Sequence, residues 1–431
     1  MEVNATRICN ILLGLPEVNV LGVDDHQGKP LSVYIECSSA TRICSNCGNS
    51  AWMKDRSLVE LTDLPTFGRP VRLMWSKRRW MCTNRECPQK SWTEENHHIA
   101  SPRLSMTDRA GRWVTEQIGR YARSINEVAN DLGCAWHTIN DTVVAYGKAL
   151  IEDDSRRIGA VTALGLDELL FFRKGAWHTL QWATCLVDVQ KGTLLDLVEG
   201  RTTKAPSAWL QTQETSWKEQ IRYGTLDLCG TFKAVFDKEL PHITQVADPF
   251  HVIKLANSKL DECRRRVQNA TVGHRGRKSD PLYRCRRLLT KARERLDEQG
   301  QEKLVGLLKA GDPNGEVATA WQAKEAIRAL YLHTDAEFAL QWVETLGSEL
   351  KESSKPPEVK SLGRTLLHWK EQIAAWHEAQ VTNGPTETMN NLIKRVKRAA
   401  FGFTNFANFR IRSLLYAGRP NWNLLKTVTP R

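Results

Sequence analysis

Residues 160–200 read "AVTALGLDELLFFRKGAWHTLQWATCLVDVQKGTLLDLVEG". Three runs rich in apolar and β-branched residues, 160–172, 177–190 and 193–200, are parted by short turns that include Lys174–Gly175 and Lys191–Gly192. Such runs predict strands in a meander. Downstream, "APSAWLQTQETSWKEQ" (205–220) is helical in pattern, "IRYGTLDL" (221–228) a strand, "TFKAVFDKEL" (231–240) a helix and "HITQVAD" (242–248) a strand. Three consecutive strands followed by helix, strand, helix, strand define an α/β class.

That order is the ribonuclease H-like one, and in such a sheet the first and fourth strands are neighbours. The arrangement gives acidic residues a positional meaning. Asp167 falls in the middle of the first strand among Leu164, Leu166, Leu169 and Leu170, and Asp227 at the end of the fourth. Neighbouring strands run about 4.8 Å apart, so two such carboxylates can share metal ions. Hard divalent cations want carboxylate oxygens, and a pair of them clamps a phosphodiester for in-line attack. Asp248, ending the fifth strand in "VADPFHVIKL" with His251 three residues on, competes with Asp227 for the second role. Asp188 and Asp196 also sit in strand-like runs, where an acid on a solvated face is ordinary.

A third acid stands far away in "NGPTETMNNLIKRVKRAAFGF", residues 383–403. Glu387 follows a turn and opens a helix whose buried side is expected to carry Met389, Leu392, Ile393 and Val396. An acid near a helix N-terminus is favourable with the dipole alone. The sharper reading makes Glu387 a metal-binding carboxylate, with Asn390, Asn391, Lys394, Arg395, Lys397 and Arg398 on the same helix available to DNA phosphates. Between Asp248 and this segment the chain is helix-rich. "GRTLLHWKEQIAAWHEAQ" repeats apolar residues at helical spacing, and "SSKPPEVKS" marks a break.

Upstream, Cys44 and Cys47 form a C-x-x-C knuckle, and Cys82 and Cys87 a looser C-x4-C one. Two knuckles carried by strand-like "RPVRLMWSKRRWMC" predict a tetrahedral zinc site in a ribbon, with His97 or His98 able to substitute as ligand. Next, "SINEVANDLGCAWHTINDTVVAYGKAL" (124–150) opens with a Ser124–Glu127 capping box and turns at Gly133. A second helix begins near Ala135 with Ile139, Val143 and Tyr146 inward, the spacing of a helix-turn-helix or of a plain helical hairpin. In the first case His137, Thr138 and Asn140 are expected to point outward, toward base edges.

Composition bounds the rest. At 431 residues the chain exceeds one average domain. No apolar run approaches the roughly 20 residues that span a bilayer, and no export signal is evident, so a cytoplasmic protein is expected. A formal charge of +12 favours a polyanionic partner. Fourteen Lys or Arg face four acids between Lys254 and Arg295. That density suits phosphate neutralisation, and Arg264, Arg265, Arg266, Arg275, Arg277 and Lys278 are its candidate contacts. Eleven cysteines without an export signal do not make a disulfide framework.

The ordered set of C-x-x-C ribbon, helix-turn-helix, "LDE", "DPFHV" and "NGPTETMNNLIKRVKRAAFGFTNFANFRIR" resembles the ISL-three family of bacterial insertion-sequence transposases, over about 40–418. Thr388 departs from the usual small residue. The resemblance implies a DDE enzyme with a ribonuclease H-like domain, Asp167 as first acid and Glu387 as last, and Mg2+ or Mn2+ at the site beside structural Zn2+. Double-stranded DNA, element ends and target, is the implied partner, with a homodimer or larger assembly on it, in a nucleoid-associated bacterial protein. The expected organisation is an N-terminal segment (1–37), zinc ribbon (38–102), helix-turn-helix (103–152), catalytic domain (158–251 and 381–418), helical insertion (252–380) and tail (419–431). A regulator without catalysis and a metal-dependent nuclease that cleaves without joining are the rival functions.

Overall fold

The computed structural model describes residue 2, residues 4–38 and residues 42–428. The start of the expected ribbon (39–41) and the end of the expected tail (429–431) fall outside them. The chain forms two compact units, residues 1–159 with 391–431, and residues 160–390.

The first unit opens with helix α1 (Ala5–Leu13) and a sheet of β1 (Val18–Asp24), β2 (Leu31–Cys37), β3 (Ala51–Thr66), β4 (Arg69–Cys82) and β5 (Ser91–Thr93). Strand order is β1-β2-β4-β3, with β5 on the end of β4. Period-two burial sets the core face: Val71, Leu73 and Trp75 of β4 are buried with Val33 and Ile35 of β2. Residues 1–37, read as a separate segment, thus supply two strands to the sheet that carries the cysteine knuckles. The β3–β4 hairpin pairs Ala51 with Cys82 at its open end, so both knuckles meet there.

Helices α2 (Asp108–Gly119), α3 (Ile125–Leu132) and α4 (Trp136–Ile151) follow. The Ser124–Glu127 capping box is formed in both directions, and Gly133 ends α3 at φ 57°. Val128, Ala129, Leu132, Ile139, Val143 and Tyr146 are buried.

The second unit is mixed α/β. Its sheet comprises β6 (Ala163–Lys174), β7 (Thr179–Asp188), β8 (Thr193–Glu199), β9 (Tyr223–Leu226) and β10 (Thr244–Ala247). Between them lie α5 (Lys204–Gln211), α6 (Thr215–Lys218) and α7 (Gly230–Glu239). The order is β10-β9-β6-β7-β8: an antiparallel meander, then β9 parallel to β6 and β10 parallel to β9. The first and fourth strands are neighbours, with Gly165 opposite Thr225. Parallel pairing needs the crossovers that α5 to α7 provide.

Helices α8 (Pro249–Val272), α9 (Pro281–Thr290), α10 (Glu298–Gly311), α11 (Glu316–Leu330), α12 (Ala336–Leu350), α13 (Pro357–His368) and α14 (Lys370–Ala379) complete this unit. Prolines begin α8 and α13, where a missing N–H costs nothing. The periodic run 363–380 is two helices, broken at Trp369. No helix among the described residues is long and apolar enough to cross a membrane.

Helix α15 (Gly384–Ala399) runs across the division between the units, and α16 (Phe406–Ala417) belongs to the first. Its N-terminal turns lie over the β6–β9 seam. A Cβ on Gly165 would collide with Thr386 Oγ1 and stand 2.6 Å from Val189 and 3.0 Å from Thr225 Oγ1. The bare glycine is therefore what lets α15 approach β6. Gly165→Ala is expected to destabilise the protein by about 1–3 kcal/mol through overpacking. Denaturant unfolding measures it, and an unchanged midpoint would show that the seam yields freely.

Candidate active site

Asp167 points from β6 to the same face as Gly165, and Asp227 follows β9 two residues beyond Thr225. In paired parallel strands equal offsets share a face, so both acids stand at the seam under α15. Asp227 Oδ1 accepts from His251 Nδ1 at 3.0 Å. Asp248 Oδ2 lies 3.4 Å from that same nitrogen. Glu387, half exposed in the first turn of α15, places Oε1 3.8 Å from His251 Nε2. One imidazole thus faces three carboxylates, and ligand atoms of Asp227, Asp248 and His251 lie within 4.8 Å of one another.

Asp248 has a further task, since its Oδ1 accepts from Phe250 N and caps α8. It is buried, while Asp227 is partly open. Asp188 and Asp196 are buried elsewhere and serve backbone N–H groups and the Trp209 indole.

Burial, then the Asp227 charge, push the Asp167 carboxyl up to about 6. Burial alone would lower His251, but its hydrogen bonds to Asp227 and Asp248 outweigh it and raise the ring to about 9. The site therefore holds more negative charge than its one histidine balances.

Two asparagines orient the acids. Asn390 Nδ2 donates to Asp167 Oδ2 at 2.5 Å, and its Oδ1 accepts from Cys185 Sγ at 2.9 Å. Asn383 Nδ2 donates to Asp227 Oδ1 at 2.9 Å, while its Oδ1 accepts from Thr225 Oγ1 at 3.1 Å. Asn390 was expected to serve DNA phosphates. It is buried against the sheet instead, because the third residue after Glu387 turns toward β6. Asn383 was missed entirely. Its signal was the repeated asparagine, four residues before and three after Glu387.

In the first unit the four cysteines converge. Sγ atoms of Cys44 and Cys87 are 3.8 Å apart and those of Cys47 and Cys82 3.5 Å, all four within 4.8 Å. Although burial pushes the Cys44 thiol up, N–H groups of Cys47 and Asn46 and neighbouring thiols bring it down to about 7. His97 and His98 are exposed and outside the cluster.

The expected nucleic-acid contacts divide. His137 is exposed and Thr138 half-buried. Asn140 is 8% exposed, and its Oδ1 accepts from Asn408 Nδ2 at 3.1 Å, so its expected outward reach is corrected: α16 covers that face of α4. Arg264 is 5% exposed and bound to Asp261 and Gln268. Arg265 is exposed but paired with Asp261 at 2.6 Å. Arg266 joins Glu358 at 2.7 Å and Glu316 at 2.6 Å. These three are tied into their own unit, whereas Arg275, Arg277 and Lys278, in the turn after α8, are exposed. On α15, Lys394, Arg395 and Arg398 are exposed and Lys397 half-buried.

A family model described as transposase, of the ISL-three DDE type, matches residues 164–413. The chain is 23% identical over 400 residues to the transposase for insertion sequence element IS1001 of Bordetella parapertussis, covering 89% of this chain and 91% of that protein. It is 27% identical over 289 residues to the transposase for insertion sequence element IS1557 of Mycobacterium tuberculosis, covering 62% of this chain and 63% of that one.

The raised value for His251 means that folding favours its charged form. That stabilisation is complete below the ordinary value of 6.5 and is lost as pH rises through about 9. In metal-free protein, the ring proton resonances of His251 should titrate near pH 9. A midpoint at or below 6.5 would contradict this electrostatic picture.

Proposed function

The chain belongs to the ISL-three family of DDE insertion-sequence transposases, and on that premise we propose that Asp167, Asp227 and Glu387 are its catalytic carboxylates, in a ribonuclease H-like domain. The observation that carries the reading is convergence. Asp227 and Glu387, 160 positions apart, face one histidine, and Asp167 and Asp227, 60 positions apart, follow paired parallel strands with one asparagine bonded to each. The meander followed by two parallel strands supports the domain assignment.

The donor set fits a hard divalent cation. Carboxylate oxygens in excess of positive charge are what Mg2+ or Mn2+ takes, and the three acids would hold it. Such ions, when bound, supply Lewis acidity to phosphodiester cleavage and joining. Asn390 and Asn383 fix the rotamers of Asp167 and Asp227 before any ligand arrives, so no orientation is lost on binding. His251 offsets part of the carboxylate repulsion and holds Asp227, with Asp248 behind it. Water attacks the phosphodiester at an element end and frees a 3′-hydroxyl. That hydroxyl then attacks a target phosphodiester, displacing one 3′-oxygen and conserving the number of bonds.

Around this centre the cysteine cluster holds structural zinc in a ribbon, and α3–α4 form a helix-turn-helix that docks on the terminal repeats. The exposed Lys394, Arg395 and Arg398, with Arg275, Arg277 and Lys278, neutralise phosphates. Double-stranded DNA is the partner, two ends are paired by a homodimer or larger assembly, and the protein acts in the bacterial cytoplasm.

Strand transfer of precut ends into plasmid DNA with Mg2+ tests the centre. Asp167→Asn, Asp227→Asn and Glu387→Gln should abolish product, and Asn390→Ala should lower it by about 10–100-fold, as for residues that orient metal ligands. Product from Asp227→Asn but none from Asp248→Asn would move the second role to Asp248. Zinc content after dialysis should be about one per chain, the ordinary occupancy of a four-cysteine site, and zinc-free folded protein would refute the ribbon.

A further inference from the structure

Helix α15 ends in a Schellman motif. Gly402 N donates to Lys397 O at 2.9 Å and Phe401 N to Arg398 O at 3.0 Å. The residue at the left-handed position of this motif is normally glycine. Here it is Phe401, at φ 55°, and its side chain is 94% exposed. A phenylalanine in backbone geometry that suits glycine, with almost no burial, serves neither the helix end nor the core. The adjacent Gly402, at φ 104°, shows that glycine is available to this turn.

Phe401 borders a cavity of about 200 Å3 within the first unit. Trp136, the half-exposed first residue of α4, stands on its wall with Asn126, Thr404 and Asn408. Arg412, 3% exposed, also lines it. Its Nη2 donates to Arg123 O at 3.3 Å and its guanidinium lies 5.0 Å from the Phe403 ring. The cavity is smaller than those that take drug-sized ligands. Its lining combines the aromatic rings of Trp136, Phe401 and Phe403 with the amides of Asn126, Asn140, Asn405 and Asn408. Those are the features that receive one flat heterocycle with polar edges.

From this we propose that the cavity between α3, α4 and the turn 400–405 binds a single unpaired nucleobase of DNA. The proposal rests on the reading of α3–α4 and α15 as DNA-facing. The exposed cations Lys394, Arg395 and Arg398 lie on α15, just ahead of Phe401, and supply the charge complementarity for a nucleic-acid occupant. Phe401 and Trp136 stack on the base, and the amides meet its edge. A base leaves a duplex most cheaply where it is already unpaired, so a bulge or a melted end is the form recognised.

The test uses the full chain and two labelled DNA duplexes of one sequence, one fully paired and one carrying a single unpaired adenine. Wild type should bind the bulged duplex about tenfold more tightly, the scale of one base–aromatic stack. Phe401→Gly should abolish the preference, keep the affinity for the paired duplex and raise Tm, because glycine suits that backbone. Trp136→Ala should also abolish the preference. A wild type that binds both duplexes equally overturns the proposal, as does Phe401→Gly retaining the preference or weakening both duplexes alike. Failure to bind even the paired duplex overturns it through the DNA-facing reading beneath it. Dissociation of a protein dimer by Phe401→Gly, with duplex preference intact, would make the ring a protein contact and also overturn it.

Discussion

Carboxylates that converge repel one another, and the second unit is built around holding that repulsion in place. Parallel pairing of β6 with β9 sets Asp167 and Asp227 side by side. Neither strand can slip by one residue without turning its acid to the other face and its apolar neighbours to the seam. The third acid comes from a helix, and helix and sheet meet closely only because Gly165 has no side chain. The remaining control is by neutral donors. Asn383 and Asn390 bond their acids without cancelling their charge, so orientation is obtained while the attraction for cations is kept.

Much of the fold was legible because strands and helices write their periods into the chain. The meander and the crossovers follow from alternation and from element order, and the adjacency of first and fourth strands came from likeness to the ribonuclease H-like fold. The capping box at Ser124 and the cysteine pairs are short-range signals with a local mechanism, and they too could be read directly. What stayed hidden was long-range pairing that no period announces. Strand β2, with β1 on its other edge, joins β4 across more than thirty intervening residues, and nothing local in residues 1–37 says so. Nor does the pattern of a helix tell which of its polar residues will find a partner on a sheet. Asn390 read as surface because asparagine usually is, yet its partners Asp167 and Cys185 lie more than two hundred residues away.

The arginine triplet 264–266 shows the same limit in electrostatic form. A count of charges along a sequence assumes that each one reaches solvent. On a helix of 24 residues packed against others, three consecutive cations necessarily point in different directions. Arg264 falls on the buried side, where it needs Asp261 and Gln268 to offset lost hydration. Arg266 meets acids from α11 and α13, contributed by the helical region that sequence reasoning regarded only as an insertion. Removing one partner of such a pair is costly, because the other charge is stranded. Arg266 therefore ties α8 to α11 and α13, while Arg264 and Arg265 are bonded within α8 itself. Arg275, Arg277 and Lys278, in the turn after α8, remain in solvent.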